Sequence, residues 1–325
     1  KNATIRGNLA HYAQQARLSR ELATLDTHAP LAWGLEELKA VDPDRERLHK
    51  IFKEMEFSKF LKEFAVQPEQ SGKDYHLVIE KKDFLELIEN LKRAGIFALD
   101  LESTSIEPIR AEIVGLSFSF KPHQAFYIPV GHTYPGAPEQ LDRGEVLKAL
   151  KPLLEDPALK KYGQNIKYDY ILLAKSGIHL QGIAGDTMIA SYLLNPSKHR
   201  HSLEELAREH LDYQVTTYAD VAGTGAKAIR FDGVDVDKAC RYSCEDADVT
   251  LLLANLLMPR IEADGFEDLF HRVEIPLVEV LAVMEMNGVR LDVALLNLMS
   301  CEFEEQLKRI SREIYELAGE EFNIN

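Results

Sequence analysis

Residues 96–105 read IFALDLESTS, with Phe97, Leu99 and Leu101 alternating against Ile96, Ala98, Asp100 and Glu102. A period of two predicts a strand, because successive side chains then point to opposite faces. Asp100 and Glu102 therefore share a face at the end of a hydrophobic strand. Twice the strand rise of about 3.3 Å per residue separates them, close enough for both to reach one divalent cation. Taken alone, two acids at a strand end read as solvated charges, so their purpose has to come from the rest of the chain.

The chain has 325 residues, 46% hydrophobic and 28% charged, enough for a sizeable core and more than one folding unit. No apolar run approaches the roughly 20 residues of a membrane span, and the opening KNATIRGNLAHYAQQARLSREL lacks the apolar centre of a signal peptide. A cytoplasmic protein without a membrane partner is expected. The start at Lys1 and the end at EEFNIN, without an evident closing element, suggest a piece of a longer protein. Cys240, Cys244 and Cys301 form no even-numbered disulfide framework, and no His pair lies near Cys240 and Cys244 to complete a zinc site. They read as reduced thiols. A net charge of −15 argues against a broad basic face for gripping nucleic acid, but not against contact with phosphate through metal ions held by carboxylates.

Three regions separate by pattern. Residues 1–70 are polar and helix-prone, with a turn at Asp42, Pro43 and Asp44, an amphipathic helix in ERLHKIFKEMEFSKFLKEF and a linker in VQPEQSGKD. Residues 71–262 open with strands YHLVIE, GIFALDLE, EIVGLSFSF and QAFYIPV, whose short connections suggest antiparallel neighbours. Helices follow: GEVLKALKPLLED, NIKYDYILLAKSG closed at Gly177, DTMIASYLLN, SLEELAREHL with Ser202 and Glu205 as a capping box, and one long helix from VDVDKAC to PRIEA. Strands with helices packed around them give an α/β or α+β domain. In residues 263–325 a helix stops at Asn287 and Gly288. The next carries Phe303, Leu307, Ile310, Ile314 and Leu317 at spacings of 4, 3, 4 and 3, a heptad seam that needs a partner.

Two further acids stand out. In YGQNIKYDYILL, Asn165 and Asp169 are four apart, on one helix face, while Ile166, Leu172 and Leu173 can cover the core side. Alone, Asn165 reads as a helix cap and Asp169 as an exposed charge. In RYSCEDADVT, Tyr242 and Asp246 are also four apart, while Val249, Leu252 and Leu253 serve the core. A tyrosine one turn from an aspartate can orient a water at a metal held by that aspartate.

An acid pair on a strand, then N-x-x-x-D, then Y-x-x-x-D on a later helix, resembles the three motifs of the tyrosine-bearing branch of the DEDD exonuclease superfamily. GQNIKYD and YSCEDADVT are similar in particular to the proofreading domain of the bacterial family-A DNA polymerases. The resemblance implies a ribonuclease H-like α/β fold, a mixed β-sheet flanked by helices, with a helical N-terminal linker and a C-terminal helical arm. Residues 1–70 would be the tail of a 5′-nuclease domain and its linker, 71–262 the 3′→5′ exonuclease domain, and 263–325 the first, thumb-like helices of a polymerase domain whose active site lies beyond Asn325.

The chemistry suits that resemblance. Two divalent ions about 4 Å apart can activate water and meet the departing oxygen of a phosphodiester, and four carboxylates in one cleft need cations to offset their repulsion. By resemblance, Asp100, Glu102 and Asp246 would hold one ion, and Asp100 with Asp169 the second. Tyr242, helped by Glu102, would position the attacking water. Mg²⁺ is the implied ion, with Mn²⁺ as a substitute. Implied contacts to a single-stranded or frayed DNA 3′ end are Ser103, Ile106, Gln164, Asn165, Tyr168, Arg200 and Phe231, of which Ile106 and Phe231 would offer apolar faces. The family often has threonine at Ser103 and leucine at Ile106, both conservative differences in size. The other implied partners are the polymerase and 5′-nuclease domains of the parent chain, in the cytoplasm at the nucleoid. Two competing readings share parts of this pattern: a ribonuclease D-like RNA exonuclease, and a spacer between nuclease and polymerase modules with little catalysis.

Overall fold

The computed structural model describes residues 3–26, 39, 42–55, 57, 60, 72–225 and 228–324. Residues 1–66 and 67–325 form two compact units. In the first, α1 (Ala3–His11), α2 (Ala13–Ala23) and α3 (Arg45–Glu54) are described, and the Asp44 carboxylate caps α3 by accepting from the Arg47 N–H at 3.0 Å. The remainder of the expected amphipathic helix and most of the expected linker lie outside the described residues.

The second unit is built on a six-stranded sheet of order β1-β4-β3-β2-β5-β6. The strands are β1 (Asp74–Leu77), β2 (Ile96–Ser103), β3 (Ile113–Lys121), β4 (Gln124–Pro129), β5 (Lys160–Gly163) and β6 (Ile183–Asp186). β2, β3 and β4 pair antiparallel, as their short connections require. The expectation of antiparallel neighbours fails for β1, which pairs parallel with β4. A helix, α4 (Lys81–Ala94), separates β1 from β2 and carries the chain across the sheet. Its Phe84, Leu87, Ile88 and Leu91 recur at helical spacing and are buried, and Gly95 closes it at φ 73°. β5 and β6 add parallel strands on the other side of β2.

Phe97, Leu99 and Leu101 of β2 join the main core with α4, α5 (Arg143–Leu154) and α6 (Lys167–Lys175). The opposite face of the sheet is covered by the long helix α10 (Val236–Ala263), which follows α7 (Thr187–Leu194), α8 (Leu203–Leu211) and α9 (Tyr218–Ala222). The Asp235 carboxylate starts α10 by accepting from the N–H groups of Asp237 and Lys238. Ala239, Ser243 and Ala247 recur along one stripe of α10 with no accessible surface, and such small side chains bring a helix close to its sheet. Gly115, opposite Glu102 on β3, is equally crowded: a Cβ there would meet the Tyr127 hydroxyl at 2.1 Å.

The expected capping box at Ser202 is a correction. Ser202 stands at the N-cap of α8, yet its side chain makes no cap hydrogen bond. A capping box forms instead at Thr217 and Asp220, at the start of α9. In the last region α11 (Ile275–Asn287) ends at Gly288 as expected, and its Val278 and Ala282 belong to the main core. α12 (Val293–Ala318) carries the expected seam, with Phe303, Leu307, Ile310 and Leu317 exposed. Among the described residues no helix is long and apolar enough to cross a membrane.

Candidate metal centre

β2 presents Asp100 and Glu102 to α10, where Asp246 meets them. One carboxylate oxygen from each of the three lies within 4.8 Å of the others. The ladder between β2 and β3 shifts register just after Glu102, the kind of irregularity that re-aims side chains beside a site. Asp169, on the first turn of α6, stands outside that trio but within the field of Asp100: its Oδ1 accepts from the Leu101 N–H at 3.0 Å, between the two strand acids.

Electrostatics sets these four apart from the many surface acids. Asp100 keeps some accessible surface, but the protein around it deprives the carboxylate of water and pushes its pKa up to about 6. Burial, then the charge of Asp100, raises Glu102 well above the carboxylate range, opposed by a hydrogen bond from Ser243. Asp169 is raised by burial and then by Asp100, opposed by the Leu101 N–H. Asp246 is raised by burial and then by Asp100 and Glu102. Four oxygen-donor acids crowded at this cost suit a hard divalent cation, which would supply the missing positive charge. Tyr242 lies against Asp246 one turn earlier on α10, and burial, followed by the charges of Asp246, Glu102 and Asp100, keeps its phenol protonated.

The loop between β5 and α6 differs from its helical reading. Asn165 is exposed and sits before the helix with φ 57°, a left-handed conformation that asparagine tolerates. Asn165 and Asp169 therefore do not share a helix face. The buried carboxylate of Asp186 fixes this turn by accepting from the Ile166 N–H at 2.7 Å while also capping α7. The sequence marked Asp186 only as the start of a helical segment. Asp169 is buried rather than exposed.

The remaining expected residues divide. The Ser103 Oγ and the Tyr168 hydroxyl hydrogen-bond each other and both reach the Ser105 carbonyl, fixing the turn that ends in Ile106, 93% exposed. Gln164 takes a hydrogen bond from the Thr187 hydroxyl and donates to the His201 carbonyl, which ties the end of β5 to the loop carrying exposed Arg200. Phe231 is a correction. It has no accessible surface and packs with Val114, Tyr127 and Val234, so it has no free face to offer a base. Its ring backs those of Tyr242, at 5.9 Å, and Tyr218, at 6.2 Å. Tyr218, 45% exposed and within the field of Glu102, is the aromatic that presents a face there. A 3-10 turn at Phe231–Gly233, which hydrophobicity alone does not reveal, puts Phe231 inside and leaves Tyr218 outside.

Residues 75–262, which contain all four acids and Tyr242, match the family of 3′-5′ exonucleases found in A-type DNA polymerases. The chain belongs to this family. It is 39% identical over 96% of its length to a DNA polymerase I of Pseudomonas aeruginosa, and covers 36% of that protein. It is 34% identical over 98% of its length to a DNA polymerase I of Chloroflexus aurantiacus, of which it covers 38%. The exonuclease chain thus spans little more than a third of the curated relatives it matches. Its fold is shared with the POL domain of Pol1 from M. smegmatis, solved in complex with DNA primer-template and dNTP, at a TM-score of 0.60 and 21% identity over 76% of this chain and 38% of that one. The mixed sheet flanked by helices is the ribonuclease H-like fold expected of such an exonuclease. The domain implies the use of divalent metal, and the acids of β2 and α10 form a group that could bind one.

Proposed function

We propose that this chain removes nucleotides one at a time from a DNA 3′ end as 5′-monophosphates, as the proofreading part of a longer DNA polymerase I. The observation that supports this most is the convergence of Asp100, Glu102 and Asp246 within 4.8 Å in a 3′-5′ exonuclease domain. Asp100, Glu102 and Asp246 would hold one cation, and Asp100 with Asp169 a second, Mg²⁺ or in its place Mn²⁺. Bound there, two divalent ions would supply the positive charge that lowers the pKa of water and offsets the charge on the departing oxygen. Water adds at phosphorus, the bond to O3′ breaks, and the shortened strand keeps a 3′-hydroxyl.

The protein's own part is positioning. Tyr242, held protonated, gives one hydrogen bond to the attacking water beside Asp246, and Glu102 accepts from the same water. Ile106 and Tyr218 offer apolar and aromatic faces to the terminal bases, a sequence-tolerant mode suited to single strands. In this proposal Ser103, Asn165 and Tyr168 contact the same 3′ end, and Gln164 steadies the loop from which Arg200 meets a phosphate. Residues 1–70 belong in this proposal to the end of a 5′-nuclease domain and its linker, and 263–325 to the start of a polymerase domain, in a cytoplasmic, nucleoid-associated protein.

The test offers 5′-labelled single-stranded DNA and RNA of one sequence with Mg²⁺. A ladder shortening from the 3′ end, faster on DNA, is expected. Faster shortening of RNA would move the assignment to a ribonuclease D-like enzyme, and no shortening of either would leave a spacer.

A further inference from the structure

Several buried polar groups of α10 have defined partners, and Ser243 reaches a strand acid of the cluster. Glu245 binds Lys73 at 2.8 Å and the Thr216 N–H at 2.5 Å, and Asp248 accepts from Tyr75 at 2.9 Å and the His123 N–H at 2.7 Å. These tie α10 to the strand edge and the neighbouring loops. Ser243, with no accessible surface, donates its Oγ proton to Glu102 Oε1 at 2.6 Å. Among the described residues that is the one protein hydrogen bond found to the Glu102 carboxylate.

We propose that Ser243 is a positioning residue that orients Glu102 for the divalent cation by fixing one carboxylate oxygen and leaving the other for the ion. The inference rests on the metal-dependent reading above. Glutamate has one more rotatable bond than aspartate, so an unanchored Glu102 would spread over several rotamers, most of them unable to meet Asp100 and Asp246 together. The bond to Ser243 selects among them. It also spans the two elements that build the site: Glu102 is on β2, while Ser243 stands between Tyr242 and Asp246 on α10. Ordering the glutamate thus fixes the strand acids in register with the helix acid and the tyrosine. Only a small side chain fits here, because Ser243 belongs to the Ala239 and Ala247 stripe pressed on the sheet. A serine supplies a donor within that space for Glu102, as the Tyr242 hydroxyl does for Asp246 on the same helix. Groups that orient a metal ligand in this way typically change metal affinity by about 10- to 100-fold when removed.

Titration calorimetry with Mn²⁺ on the whole chain, wild type against Ser243→Ala, Ser243→Thr and Asp246→Ala, tests this, read beside nuclease activity as a function of Mn²⁺. Ser243→Ala is expected to weaken Mn²⁺ binding by about tenfold or more and to shift the activity curve to higher Mn²⁺, with the rate recovering near saturation. Ser243→Thr keeps the hydroxyl but adds a methyl to the packed stripe, so its folded protein is expected to bind Mn²⁺ more tightly than Ser243→Ala, without having to match wild type. Should Ser243→Ala fold poorly, Ser243→Cys substitutes a slightly larger side chain with a weaker donor and should fall between Ser243→Ala and wild type. Equal Mn²⁺ affinity in wild type and in folded Ser243→Ala or Ser243→Cys would overturn the inference and reduce the bond to a helix–strand tie. A wild type that binds no Mn²⁺ would instead overturn the metal-dependent reading itself, an outcome distinct from the first.

Discussion

The four acids should make the metal-free protein less stable than it would be without them, and Asp100→Asn measures by how much. Burial lifts the Asp100 carboxyl from 3.8 to about 6. At 1.36 kcal/mol for each tenfold change, ionising it in the folded chain costs about 3 kcal/mol. Because the folded pKa lies above the unfolded one, the penalty is absent below about pH 4, where both states are protonated, grows as pH rises to about 6, and is complete above it. Glu102, Asp169 and Asp246 are each pushed up in part by Asp100, so their relief adds in the same direction. Urea unfolding in EDTA, followed by far-UV circular dichroism, should show Asp100→Asn more stable than wild type by about 3 kcal/mol at pH 8, with the gain vanishing at pH 4. In saturating Mg²⁺ the order should narrow or reverse, since only the wild type gains full stabilisation from the ion. Equal stability at pH 8 in EDTA, or a gain equally large at pH 4, would refute the argument from buried charge.

Three other substitutions separate chemistry from packing. Tyr242→Phe removes one hydroxyl from the water's surroundings and a hydrogen bond to Asp246 but no metal donor, so cleavage at saturating Mn²⁺ should still slow by about a hundredfold; full recovery of the rate at saturating Mn²⁺ would mean that Tyr242 acts only through the metal site. Phe231→Ala empties a fully buried position behind Tyr242 and Tyr218 and should cost about 3–5 kcal/mol in urea unfolding; a cost under about 1 kcal/mol would contradict its burial. Gly115→Ala would drive a methyl into Tyr127 opposite Glu102 and should cost about 1–3 kcal/mol, measured in the same way.

The acid pair and the Tyr242–Asp246 pair were legible because each depends on local geometry alone, a strand period of two and one turn of a helix. The sheet was less legible. α4 carried a clear signal in Phe84, Leu87, Ile88 and Leu91 closed by Gly95, yet the apolar run YHLVIE before it drew the reading toward a strand meander. β5 and β6 are four residues each, KKYG and IAGD, too short and too polar to alternate, and they are strands only because β2 and each other pair with them. The N-x-x-x-D spacing was read as one helix face, which the structure corrects, because Asn165 lies before the helix. Asp186, 21 residues beyond Asn165 in the chain, pulls Ile166 into the cap and turns Asn165 out. The choice between Phe231 and Tyr218 likewise rests on which aromatic the fold buries, a tertiary fact that neither residue's neighbours encode.

The account stands most directly on a degradation assay. A 5′-labelled single-stranded DNA is incubated in Mg²⁺ with wild type, with wild type in EDTA, and with Asp246→Ala shown to be folded by circular dichroism. The account predicts a ladder shortening from the 3′ end with wild type and an intact strand in the other two. A ladder that persists with Asp246→Ala, or no ladder from folded wild type in Mg²⁺, would contradict the claim that the acids gathered on β2, α6 and α10 carry the reaction.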